Sequence, residues 1–124
     1  MKLEPLLYVS DILRSIYFYR DILGFKMGEL YPDRECPTYA PIFIGDYKLM
    51  LSQARDSNKS LHQDHLGGSG LQIFIRVENV DEELQRIKSH VNLVQDIEAK
   101  PWGDREFTIS DPDGYLISFY TPTN

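Results

Sequence analysis

Val9-Ser10-Asp11-Ile12 returns 68 residues later as Val77-Glu78-Asn79-Val80, and Leu49-Met50-Leu51 returns at the same offset as Ile117-Ser118-Phe119. Apolar tripeptides are common, so neither match decides anything alone. Both matches, and the helix-like segments after Asp11 and Asn79, nevertheless share one register without a gap. A duplicated module follows, and a repeat constrains a fold more than any local propensity does. With 124 residues, 42% of them hydrophobic, the chain can build one sizeable core but not two large domains. One domain spanning 1–124 and made of two halves is expected.

The first half reads as βαβββ. Leu3 to Val9 has strand character, and Asp11 is a natural N-cap for a helix that Gly24 ends after Leu23. Ile12, Ile16, Tyr19 and Leu23 form an apolar stripe on that helix, widened by Tyr17 and Phe18. Strands are predicted over Phe25 to Leu30, Thr38 to Ile44 and Tyr47 to Gln53, with Gly45-Asp46 as a hairpin turn. The second half repeats the order. Leu71 to Val77 is a strand, and Asn79 caps a helix to His90 with Val80, Leu84 and Ile87 inward. Asn92 to Ala99, Glu106 to Ser110 and Tyr115 to Thr121 are strands, the last two joined by a turn at Asp111-Pro112-Asp113-Gly114.

Between the halves, Ala54 to Gly70 is long and polar and reads as a linker, leaving modules at 1–53 and 71–124. It carries His62 and His65, read as solvated side chains rather than a metal pair, since no Cys or further His lies nearby. His90 reads as a helix C-terminal residue facing the dipole. Cys36 is the only cysteine, so an internal disulfide is excluded, and its surroundings do not mark a nucleophile. The net charge of -6 disfavours non-specific nucleic-acid binding and leans towards a cationic ligand. No stretch approaches the roughly 18 apolar residues of a membrane span, and no signal-like segment follows Met1. A cytoplasmic protein without membrane or nucleic-acid partners is the expectation.

Val9-Ser10-Asp11, then Ser15 to Phe25, then Trp102-Gly103-Asp104-Arg105-Glu106-Phe107 and Asp111-Pro112-Asp113-Gly114, together resemble the vicinal oxygen chelate superfamily. That superfamily includes glyoxalases, extradiol dioxygenases, fosfomycin-resistance enzymes and bleomycin-resistance proteins. The resemblance spans essentially the whole chain and is specific for fold, not for function. It implies an α+β fold in which two βαβββ modules form an open, cupped barrel around a central cavity. Strand alternation agrees. Leu7, Val9, Leu49, Leu51, Ile73, Ile75, Val77, Phe107, Ile109, Ile117 and Phe119 share one parity and are apolar, as a helix-facing core requires. The opposite parity carries Glu4, Leu6, Tyr8, Lys48, Met50, Gln72, Phe74, Arg76, Glu106, Thr108, Ser118 and Tyr120, a mixed set suited to a ligand cavity.

The resemblance also implies where a metal would sit, since metal-dependent members place a ligand on the first and last strand of each module. Those positions here are Glu4, Met50, Gln72 and Ser118. A thioether and a neutral hydroxyl are poor ligands for a hard or borderline cation, so no metal and no other cofactor is expected. Without the metal the superfamily's Lewis acid is lost, and no catalytic residue is assigned. Glu4 and Glu106 read as solvated or paired pocket charges, with Lys48 and Arg76 the available partners.

The chain is accordingly similar to the metal-free, bleomycin-resistance-like members, which sequester a ligand rather than transform it, often as homodimers. The expected function is metal-independent binding of a planar, cationic or antibiotic-like small molecule, and the reading leans away from an enzyme. Glu4, Tyr8, Phe43, Met50, Gln72, Phe74, Arg76, Trp102, Glu106, Ser118 and Tyr120 are the candidate ligand contacts, the aromatic rings offering stacking surface. Two alternatives stand beside it: a lyase or dioxygenase with an atypical metal site containing Glu4 and Gln72, and a regulatory or partner-binding module.

Overall fold

In the computed structural model, which describes residues 1–55 and 70–123, each half of the repeat forms its own mixed four-stranded sheet. The first unit runs β1 (Leu6–Val9), α1 (Ile12–Ile16, widening into a π turn at Tyr17–Ile22), β2 (Lys26–Met27), β3 (Tyr39–Ile44) and β4 (Tyr47–Gln53). Its strand order is β1-β4-β3-β2, with β1 parallel to β4 and the other pairs antiparallel. The second unit runs β5 (Gln72–Arg76), α2 (Val80–Ile87, ending in a 3-10 turn at Lys88–His90), β6 (Asn92–Ala99), β7 (Asp104–Ser110) and β8 (Leu116–Pro122). Its order is β5-β8-β7-β6, the same topology. The α+β class and the duplicated βαβββ order are thus as the sequence indicates. Most of the linker, with His62 and His65, lies outside the described residues.

The repeat extends to single hydrogen bonds. The Asp11 side chain accepts from Arg14 N–H, and the Asn79 side chain accepts from Glu82 N–H. The first helix N–H in each unit is capped from the final strand: Ile12 N–H by Gln53 Oε1 at 2.9 Å, Val80 N–H by Thr121 Oγ1 at 3.0 Å. Both capping side chains also donate back to the strand before the helix, Gln53 to Ser10 C=O and Thr121 to Val77 C=O. These contacts satisfy N–H groups that a helix leaves without internal partners, and they tie each helix to its sheet.

Helix α1 buries Ile12, Ile16, Tyr19 and Leu23, the expected stripe. Phe18 joins it, its ring edge-on to Tyr19 at 5.0 Å. Tyr17 does not: it is 58% exposed, because one step beyond Ile16 turns a side chain about 100° around the axis. The π turn closes with Leu23 N–H on Phe18 C=O, and Gly24 takes the positive φ of 82° that ends the helix. Two strands are shorter than predicted by three residues or more. Strand β1 begins at Leu6, after Pro5, which has no N–H to give the ladder. Strand β2 covers only Lys26–Met27; at Gly28 the chain passes so close to β3 that an added Cβ would lie 2.8 Å from Pro41 Cγ.

Under α1 the sheet presents Leu7, Val9, Ala40, Ile42, Leu49 and Leu51, and under α2 Phe107, Ile109, Ile117 and Phe119, all buried. Phe107 and Phe119 stack at 5.2 Å. Ile73, Ile75 and Val77 share this parity but are only half-buried.

Candidate functional site

The faces turned away from the helices carry the candidate residues. In the first unit Met50 lies between Leu6 of β1 and Pro41 of β3, Tyr8 lies opposite Ser52, and Phe43 lies opposite Lys48. Tyr8 and Met50 are half-buried and Phe43 is exposed. Glu4 precedes β1, so strand parity does not govern it; its Oε2 sits 4.0 Å from Lys48 Nζ, one of the two partners the sequence offered for Glu4 and Glu106.

The second unit places its candidates in rows across the sheet. One row is Phe74, Ser118 and Thr108; the next is Arg76, Tyr120, Glu106 and Glu98. Gln72 reaches into the first row, its Nε2 donating to Ser118 Oγ at 2.8 Å, and Ser118 Oγ lies 2.6 Å from Thr108 Oγ1. Ser118 and Thr108 are buried, whereas Phe74 is exposed with its ring edge-on to Tyr120 at 6.3 Å. Trp102 is on the turn between β6 and β7, two-thirds exposed. That turn closes through Gly103 N–H on Lys100 C=O and Lys100 N–H on Asp104 C=O, with Gly103 at φ 102°.

Glu106 corrects the sequence reading. It is neither solvated nor paired with Arg76. Tyr120 stands between them on β8, and two strand spacings put about 10 Å between their backbones. Its ion-pair partner is Lys100, with Nζ 4.0 Å from Glu106 Oε1. Lys100 Nζ also pairs with Glu98 Oε1 and lies 5.9 Å from the centre of the Trp102 ring. Lys100 and Glu98 were not among the candidates, and Thr108 was named only among the cavity-facing strand positions. The signal for the first two was the short turn at 100–103, which folds β6 back on β7 and so places Glu98 opposite Glu106.

At the positions where the resemblance implies metal ligands, the side chains of each unit do not suit a metal. Gln72 and Ser118 satisfy each other, Thr108 takes up the remaining side of the Ser118 hydroxyl, Met50 offers only a thioether, and Glu4 faces an ammonium. Among the described residues no three His, Cys, Asp or Glu side chains gather as a metal cage. Nor is Ser118 set up as a nucleophile, since neither an amide nor a threonine hydroxyl acts as a general base.

Residues 3–119 match the model of the Glyoxalase/Bleomycin resistance protein/Dioxygenase superfamily. The chain belongs to that superfamily. Among its relatives is a bleomycin resistance protein from Geobacillus stearothermophilus, 33% identical over 127 aligned residues that cover 94% of this chain and 92% of the relative. A solved structure of a protein of unknown function from Agrobacterium tumefaciens is 28% identical, with a TM-score of 0.78 over 98% of this chain and 94% of that one. TnmS3, an antibiotic binding protein from a Streptomyces species, shares the fold at a TM-score of 0.76 and 22% identity, covering 98% and 95%.

Proposed function

We propose that this superfamily member is a metal-independent binding protein that sequesters a planar, cationic or antibiotic-like small molecule without transforming it. The observation that carries the reading is the closed run Gln72, Ser118, Thr108, in which the side chains at two metal-ligand positions hydrogen-bond within the sheet. Relatedness to bleomycin resistance proteins over nearly the full chain supports it. The contacts would come from the helix-free faces: Tyr8, Phe43, Met50 and Glu4 in the first module, and Phe74, Arg76, Trp102, Glu106 and Tyr120, with Gln72 and Ser118, in the second. The exposed rings of Phe43, Phe74 and Trp102 supply flat apolar surface, and the negative net charge favours a cation. The same reading takes 1–124 as one domain working as a cytoplasmic homodimer, on the strength of the resemblance to bleomycin-resistance-like members. Among the described residues no helix is long and apolar enough to cross a membrane.

Thermal melting against nickel, zinc, manganese and iron salts, and against a panel of planar, cationic and antibiotic-like compounds including bleomycin, tests the proposal. Metals leave the midpoint unchanged, and one compound class raises it by several degrees. One equivalent of metal retained through purification without chelator, or turnover that depends on metal, overturns it.

A further inference from the structure

Glu106 is 94% buried at its side chain, and its Oε2 has no hydrogen-bond partner among the described residues. The buried carboxylate of Asp111, by contrast, accepts from the N–H groups of Asp113 and Tyr115. A buried carboxylate normally draws two or three charge-assisted donors, and leaving one oxygen bare costs stability that the fold does not recover. Lys100 is not that donor. At 4.0 Å its ammonium is beyond hydrogen-bonding distance from Glu106 Oε1, and its close partner is Glu98. Two carboxylates and the face of the Trp102 indole therefore surround a single ammonium, and the more buried carboxylate is the less satisfied.

We propose that Glu106 anchors a cationic nitrogen of the ligand, an amidinium, guanidinium or ammonium borne on a flat group, and that Lys100 is its resident stand-in. The incoming cation takes Glu106 Oε2, and Lys100 moves off towards Glu98, to which it is already bonded and which is half-exposed. The exposed Trp102 ring beside Lys100 covers the flat part. This deepens the binding function proposed above and rests on it, and it assigns Glu106 as the residue that selects charge. It also accounts for the bare oxygen: a group kept for a partner is expected to lower the stability of the free protein.

Trp102 is the only tryptophan, so its fluorescence reports on this corner alone. The probes are benzamidine, planar and cationic, and benzamide, nearly the same shape and neutral. Benzamidine changes Trp102 emission saturably and binds at least about tenfold more tightly than benzamide, the ratio one charge-assisted bond supplies. Glu106→Gln removes that preference while melting no lower than wild type, since an amide replaces a buried charge. Lys100→Met strengthens benzamidine binding several-fold, a gain that an unfolded variant cannot produce. Glu83→Gln, an equal charge change on α2, leaves both affinities alone. The inference is overturned if benzamide binds as tightly as benzamidine, if Glu106→Gln keeps the preference, or if Lys100→Met weakens binding. Saturable binding of neutral compounds with no effect of Glu106→Gln would leave the general binding function standing. Failure of every compound in the melting panel would remove both.

Discussion

Ser15 is fully buried on α1 with its hydroxyl unpartnered among the described residues. Alanine fits the same space, lacks the stranded polar group and favours a helix more, so Ser15→Ala should stabilise by about 1 kcal/mol, a rise of about 4 °C in calorimetry at this chain length. A fall in the midpoint would mean the hydroxyl has a buried partner. Gly28 makes the opposite case. A methyl there meets Pro41 Cγ at 2.8 Å and Phe43 Cε2 at 2.9 Å, and the proline ring cannot turn aside. Gly28→Ala should cost about 1–3 kcal/mol in chemical denaturation as β2 is pushed off β3. Neither residue stands out in the sequence, because a missing hydrogen bond and a close backbone approach are properties of what packs against a residue. Glu106 was legible as an inward-facing polar residue, but its partner was not. The sequence offered Arg76 or Lys48, and only the β6–β7 turn brings Lys100 to it.

At the scale of elements, the helix starts were legible because N-capping is local chemistry: Asp11 and Asn79 announce α1 and α2 within three residues. The second tier of caps was not, since Gln53 and Thr121 lie 41 residues from the N–H groups they serve. Thr121 Oγ1 holds Val80 N–H and Val77 C=O together, so Thr121→Val, equal in shape, should loosen the start of α2 and cost about 1–3 kcal/mol by denaturant titration. Helix α2 is also tied to β7 by Arg105, which donates to both oxygens of Asp81 at 2.9 and 2.8 Å. These bonds hold the Asp81 carboxyl below the usual carboxylate range and raise Arg105. The folded chain therefore favours ionised Asp81 more than the unfolded chain does. The pair's contribution is present above the unfolded pKa and is lost as pH falls through the lower folded value. Asp81→Asn should lower the melting midpoint slightly near neutrality, by the small amount an exposed, water-screened pair contributes, and converge on wild type at the acid end, so that the acid limb of a melting-versus-pH curve flattens.

For the molecule as a whole, the offset of 68 holds for the first strand, the helix and the last strand of each half. Leu6 pairs with Met50 as Phe74 pairs with Ser118. It slips by one at the third strand, where Ile42 faces Leu49 but Ile109 faces Ile117, because the Asp111–Tyr115 turn is longer than Gly45-Asp46. A gapless repeat could not reveal that slip, which leaves core positions aligned at 67 there and at 68 in the first strand, the helix and the last strand. The alignment that does hold makes a last prediction. Gln72 and Ser118 sit within hydrogen-bonding distance of each other, at two positions where the resemblance to metal-dependent members implies metal ligands. Replacing them together, Gln72→His with Ser118→Asp, removes the amide–hydroxyl bond and supplies an imidazole and a carboxylate in its place. Without metal the double variant should melt below wild type, since a buried charge replaces a satisfied hydroxyl near Thr108. Nickel at about a hundred times its dissociation constant adds roughly 2.7 kcal/mol to a protein that binds it only when folded, enough to recover several degrees. Wild type should show no such recovery. A double variant equally indifferent to nickel would mean that the backbone positions, and not only the side chains, have moved away from metal binding.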